Sequence, residues 1–340
     1  MKKGLKVKNG VFDTVLVAVC SFVGVGFITG AEIWFYFARF GIASVFGVIV
    51  FGILVYVLAS FAMREKSLNS SKVEKLKTKI LILSELFVAS AMVSGLQETT
   101  KTLFSNWWFA VFLFSIILLI FLFWFEKKSF VLYNYFVAVF VIFVVVSLFL
   151  FNNKNLYNLS GFELNNFSLK SVLYSLIFSC VYVFMNVSEI RPILEKNKNN
   201  FSNKKKKIVA LSLSLTLILL IFILISMLLI NNEITKFSMP FLMSFKQKGG
   251  ASLFVFLIGI ILAMISTAES CLIGVKDKLN FDKNDENFAK IIVIILSLIL
   301  GQISFKIFIK VIYPILAVMN FFVFVLEIFE SKKFNKKLKC

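Results

Sequence analysis

Ser21-Phe22-Val23-Gly24-Val25-Gly26-Phe27-Ile28-Thr29-Gly30-Ala31-Glu32 lies inside the first membrane-length apolar segment of the chain. It holds three glycines and a carboxylate. Glycine costs a helix interior about 1 kcal/mol relative to alanine. A charged side chain at mid-membrane costs about 2.5 kcal/mol or more on insertion scales. A helix that only anchored the protein would use neither. The segment is expected to be an interrupted helix whose freed backbone groups face a cavity rather than lipid.

Around this stretch the chain has the composition of a membrane protein. It is 340 residues long, 59% hydrophobic, with a mean hydropathy of +0.92. A soluble domain is closer to half apolar. One span takes about 20 apolar residues, so the chain suffices for about ten and leaves nothing for a soluble domain. The expectation is an all-α integral membrane protein, a single transmembrane domain over 1–340. Spans are expected near 11–37, 41–62, 79–101, 106–125, 129–151, 169–194, 207–230, 250–273, 288–307 and 308–328.

The net charge of +19 is informative through its placement. With the N-terminus in the cytoplasm, 28 of the 37 Lys and Arg fall on the cytoplasmic side of these spans: before the first, and in 64–79, 127–128, 191–207, 276–290 and 332–339. The positive-inside rule then favours ten spans with both termini cytoplasmic. The basic loops suit contact with anionic lipid. Scattered over short loops without a reading element, they argue against nucleic acid as a partner. The basic start and apolar run imitate a signal peptide, but no small-x-small site ends the run, so it is read as retained. Cys20, Cys180 and Cys271 fall in spans and Cys340 ends the chain, with no CxxC spacing, which favours neither disulfides nor a metal. Histidine is absent, so zinc lacks its usual ligands and proton coupling would run through carboxylates. No cofactor is expected beyond Na⁺ as a candidate coupling ion. Oligomeric state is left open.

The polar stretch 152–168 separates five spans from five, as 10–151 and 169–328, followed by a basic cytoplasmic tail at 329–340. Two echoes link the halves. Phe27-x4-Glu32-Ile33 in span one matches Phe184-x4-Glu189-Ile190 in span six. Ala91-Met92-Val93-Ser94 in span three matches Ala263-Met264-Ile265-Ser266 in span eight, each followed by a glutamate (Glu98, Glu269). Units of five, an odd number, place the second inverted relative to the first.

Chemistry is expected at the breaks. Backbone amides at Gly24, Val25 and Gly26 would face a carboxylate, and leftover carbonyls at Cys20 to Val23 would suit a cation. The alternative for Gly26 and Gly30 is a GxxxG packing face. In span eight, Ser266 and Thr267 bring two hydroxyls into one turn, where the alternative is bonding back to their own i−4 carbonyls. In span six, Tyr182, Phe184 and Asn186 are candidate substrate contacts at a second break near 184–187. Loss of helical hydrogen bonds is expected there and at 23–27, and continuous helices would remove the case for a transporter. Arg191 is expected to snorkel at the cytoplasmic rim, with Glu189 beside it. Glu32, Glu85, Glu189 and Glu269 are the coupling or gating candidates.

Gly24-x-Gly26-Phe27-x-Thr29-Gly30-x-Glu32 resembles the first-span signature of the YkvI-like bacterial membrane proteins, relatives of the amino acid–polyamine–organocation transporters. Met239-Pro240, Ser266-Thr267-Ala268 and Tyr313-Pro314 are similar to later landmarks of that family. Ala31 stands where the pattern has glutamine. The resemblance implies the inverted five-plus-five LeuT-type fold with helices 1 and 6 interrupted. It implies a sodium site at Cys20, Val23, Ala263, Ser266 and Thr267, with substrate at Gly24, Val25, Gly26 and near Tyr182 to Asn186. The function expected is a secondary transporter of a small organic solute, an amino acid or related compound, coupled to Na⁺ or H⁺. The alternative is a non-transporting membrane sensor on the same fold. Catalysis is not expected, since no metal motif, Ser-Lys pair or paired aspartates stand at catalytic spacing.

Overall fold

The computed structural model describes residues 10–64, 71–104, 107–124, 129–152, 167–279 and 286–337. Lys2, Lys3, Lys6, Lys8 and Cys340, to which the sequence assigns topological or redox meaning, lie outside the described residues. Every regular element among the described residues is helical. Seven helices are long and apolar enough to cross a membrane, and their outward faces carry bare Leu, Ile, Val and Phe. Such faces are stable against lipid and not against water. The protein is membrane-embedded by these criteria.

The first segment is broken twice. Helix α1 (Val11–Phe22) ends where Gly24 N donates to Phe22 O at 3.0 Å, an inverse γ-turn centred on Val23 (φ −83°, ψ 78°). A single turn, α2 (Val25–Ile28), follows and stops at Gly30, whose φ of +79° is left-handed and favours glycine. Helix α3 (Ala31–Tyr36) then runs into a 3₁₀ segment (Ala38–Ala43) that leads into α4 (Ser44–Ala62). The interruption predicted at 23–27 is therefore two short breaks, at 23–24 and 29–30. Gly26 sits inside the intervening helical turn, not in an unwound stretch.

Helices α5 (Ser71–Leu103), α6 (Trp108–Trp124) and α7 (Ser129–Asn152) complete the first half. The second half begins with α8 (Leu169–Asn197), and here the expected break near 184–187 is absent: α8 is one helix through that region. Two residues that could have interrupted it do not. Asn186 Nδ2 returns to the Tyr182 carbonyl at 2.9 Å, so its amide is satisfied without unwinding the chain. Pro192 stands a turn and a half further on and is accommodated inside the helix.

Then come α9 (Asn203–Ile230), the short α10 (Pro240–Lys248) and α11 (Gly250–Leu279). Helix α12 (Glu286–Leu300) ends earlier than the predicted 307, at a turn over Gly301 to Ser304. A Cβ on Gly301 would stand 2.6 Å from Val93 Cγ1, so the close approach of α5 requires glycine there. The chain restarts with α13 (Phe305–Ile307), passes a π-helical turn (Phe308–Ile312) and continues as α14 (Tyr313–Lys337), which carries most of the expected tail as helix.

Packing places α1 against α7, α8, α9 and α11, while α4 lies on α8 and α9, α5 on α11 and α12, and α8 on α14. The breaks of the first segment thus sit buried inside the bundle.

Candidate functional site

Two polar junctions meet at the first segment. At the first, Thr267 Oγ1 donates to the Ser21 carbonyl at 3.3 Å, and Ser266 Oγ donates to Asn134 Oδ1 at 2.9 Å. Cys20 Sγ donates to the Asn134 carbonyl at 3.3 Å, and Tyr133 Oη donates to the Leu262 carbonyl. Neither Ser266 nor Thr267 bonds back to its own helix. Helices α1, α7 and α11 are tied together where α1 ends, and all the tying residues from Cys20, Ser21, Asn134, Ser266 and Thr267 are buried. Gly24 lies against this junction: a Cβ there would stand in ordinary contact with Thr267 Oγ1, at 3.6 Å, and 3.1 Å from the flexible end of Met92. Of the residues expected at an ion site, Cys20, Ser266 and Thr267 take part in these bonds; Val23 is the centre of the turn that ends α1, and Ala263 lies one turn before Thr267 on α11. The donor set is oxygen-rich, as a hard cation prefers. Asn134, in α7, is an addition; its only signal in sequence is an amide amid an apolar run.

The second junction lies beyond the break. Tyr182 Oη donates to Glu32 Oε2 at 2.8 Å, with both residues buried. The Glu32 side chain lies directly over Gly26, so that a Cβ on Gly26 would clash with Glu32 Oε1. Gly26 is glycine to give the carboxylate room. Tyr36 stacks obliquely on Tyr182, with ring centroids 5.0 Å apart, and its hydroxyl donates to the Ile309 carbonyl at 2.7 Å. That carbonyl lies in the π-helical turn, where the normal i→i−4 ladder is disturbed; such turns are frequent at functional sites. Tyr313 is in electrostatic reach of Glu32, Glu189 and Tyr36, and Glu189 is in reach of Glu32. Glu189 is 3% exposed, and its Oε2 has no hydrogen-bond partner.

The remaining expected residues have other neighbours, except that Glu269 borders the first junction through Tyr133. Phe184 turns to α14, packing on Phe321 and Phe324, while its carbonyl accepts from Asn320 Nδ2 at 2.9 Å. Glu85 lies against Gly274 of α11, and Glu269 is near Tyr133 of α7. Arg191 does not snorkel. It is buried, with Nη2 2.5 Å from Glu327 and Nε 2.8 Å from Glu195, and Lys77 Nζ reaches Glu327 at 2.7 Å. A cation that finds buried carboxylate partners gains nothing by reaching for the interface. Glu327, on α14, could not be foreseen as the partner, since only the tertiary fold brings it to Arg191.

Among the described residues no cluster of three or more His, Cys, Asp or Glu has metal-site geometry. No protein-family model matches the chain, and no curated protein matches it either.

Proposed function

We propose that the protein is a secondary transporter of a small organic solute, an amino acid or related compound, moved by alternating access and coupled to Na⁺ or H⁺. The observation that carries this is the break at Val23–Gly24, buried at the bundle centre and walled by Ser21, Asn134, Ser266 and Thr267. A membrane helix that opens its backbone there exposes amides and carbonyls to polar ligands. The continuous α8 removes the second half of the two-break case, so the proposal rests on the first segment and on the disturbed turn before α14.

The ten-span inverted arrangement belongs to the same proposal. Shorter helices (α1 with its broken continuation, α6 and α12) stand where the remaining three spans are expected. Exchanging each span with the one five positions on also carries several of the helix contacts onto one another. The contact of α1 with α9 becomes that of α8 with α4, and α1 with α7 becomes α8 with α14. Likewise α5 with α12 becomes α11 with α6, and α7 with α11 becomes α14 with α5; both members of every pair are in contact. This correspondence supports an inverted five-plus-five repeat, the LeuT-type scaffold that the YkvI-like resemblance implies.

The test is uptake into proteoliposomes of purified protein, driven by a Na⁺ or proton gradient and screened over amino acids and related solutes. Concentrative, gradient-dependent uptake is the expected result. Saturable binding with no uptake under any gradient would replace the transporter with the sensor.

A further inference from the structure

We propose that Glu32 and Glu189 together seat the cationic group of the solute, an organic ammonium, which displaces a proton from the pair on binding. This rests on the transport reading and specifies the substrate's charge. Both carboxyls are 3% exposed, on different helices, and in electrostatic reach of one another. Among the described residues neither forms an ion pair. Arg191, two residues from Glu189, is held by Glu195 and Glu327. Arg39 lies over the rings of Phe35, Phe40 and Phe178 at 4.2, 4.8 and 4.3 Å.

Two buried negative charges without a counter-charge cost several kcal/mol each. The pair must therefore be neutralised from outside, by protons when empty and by a cation when loaded. Glu32 Oε2 is fixed by the Tyr182 hydroxyl, whereas Glu189 Oε2 has no partner and is free to accept a donor. Facing the pair are the phenols of Tyr36 on α3, Tyr182 on α8 and Tyr313 on α14, with Cys271 of α11 near Tyr313. Aromatic rings around a desolvated site attract organic ammonium groups by cation–π interaction, worth about 2 kcal/mol there. Na⁺ finds its oxygen ligands at the other junction, where Ser21, Asn134, Ser266 and Thr267 meet. The left-handed Gly30 and the π-turn at Phe308–Ile312 flank the carboxylates and are the places where the backbone can give to admit the solute. In chemical terms R–NH₃⁺ replaces the proton on one carboxyl, the N–H donors take its oxygens, and the proton leaves to water.

The test uses full-length protein in nanodiscs, titrated with ethanolamine, putrescine and lysine methyl ester, and with isobutyrate, NaCl and KCl, while thermal unfolding is followed. The amines should stabilise saturably, more weakly under mild acid, while isobutyrate should not. Glu189→Gln should weaken amine binding by about tenfold or more, which is about 1.4 kcal/mol. In weakly buffered solution the unaltered protein should release protons on binding amine, a readout that survives even if the variant fails to fold. Absence of amine stabilisation, unchanged amine affinity in folded Glu189→Gln, or binding without proton release would each overturn the proposal. Amine binding without counterflow in proteoliposomes would leave the seat standing and remove the transporter. Uptake of a neutral solute without amine binding would do the reverse.

Discussion

The Thr267 hydroxyl and the Ser21 carbonyl meet at 3.3 Å, joining α11 to the last turn of α1 just before its chain turns aside. The bond spans 246 residues of sequence. It gives the broken segment a fixed wall, because Ser266 beside it is anchored to Asn134 of α7. Both hydroxyls are spent across helices, that of Thr267 on an α1 carbonyl just before the break.

Replacing Ser266 and Thr267 together by alanine tests what that wall does. Each lost buried hydrogen bond costs about 1 kcal/mol of stability. If the oxygens also hold Na⁺, the stabilisation of the wild-type protein by NaCl over KCl disappears in the variant. Thermal unfolding in matched salts measures it. A lower midpoint with the same Na⁺ increment would limit the two residues to packing, and Asn134→Leu should reproduce whichever outcome is seen.

Gly26 and Glu32 should behave as one unit. Alanine at 26 drives a Cβ into Glu32 Oε1, so the carboxylate must leave Tyr182 or the α2 turn must shift. Overpacking of this kind costs about 1–3 kcal/mol. Glu32→Ala alone removes the Tyr182 bond but opens space, and the double variant relieves the clash. Gly26→Ala combined with Glu32→Ala should therefore be less destabilised than the sum of the two, a coupling of about 1 kcal/mol in the usual range for touching residues. Strict additivity would mean that Gly26 serves only to let helices approach.

At the other end of α8, Arg191 and Glu327 form a buried pair at 2.5 Å that Lys77 and Glu195 extend over α5, α8 and α14. Removing one partner of a buried pair leaves a charge uncompensated and costs about 3–5 kcal/mol. Glu327→Gln should cost most, because it leaves Arg191 and Lys77 to share the partly exposed Glu195. Lys77→Met should cost less, since Arg191 still neutralises Glu327. The order of the unfolding midpoints, wild type above Lys77→Met above Glu327→Gln, checks the geometry directly.

The difference between what was readable in the chain and what was not follows from where each residue finds its partner. Gly24, Gly30 and Glu32 carry a cost that only an interruption explains, so the broken first segment was legible. Ser266 and Thr267 were legible as a pair because adjacent hydroxyls in an apolar run need acceptors. Asn186 looks in sequence like the same kind of signal, but its acceptor is the Tyr182 carbonyl one turn back, a local solution that leaves α8 intact. Arg191 meets Glu327, and Asn134 meets Ser266, across more than 100 positions, and no local pattern announces such pairings. The turn at Gly301 was hidden in the same way, since it depends on how closely Val93 of α5 approaches.

Amide hydrogen exchange separates the two helices on which the functional proposal turns. In a continuous helix each interior amide is held by the carbonyl four residues back, and exchange waits for local opening. Gly24 instead gives its amide to Phe22, two residues back, in a turn that opens more readily than a helix. In nanodiscs, a peptide covering Val23–Gly26 should exchange well before one covering Phe184–Val187, although both lie at the bundle centre. Saturating solute should slow the first and leave the second unchanged, because only the first offers free backbone groups to a ligand. Equal and strong protection of both would mean that the first segment is closed to ligand, and early exchange at 184–187 would restore a second break to α8.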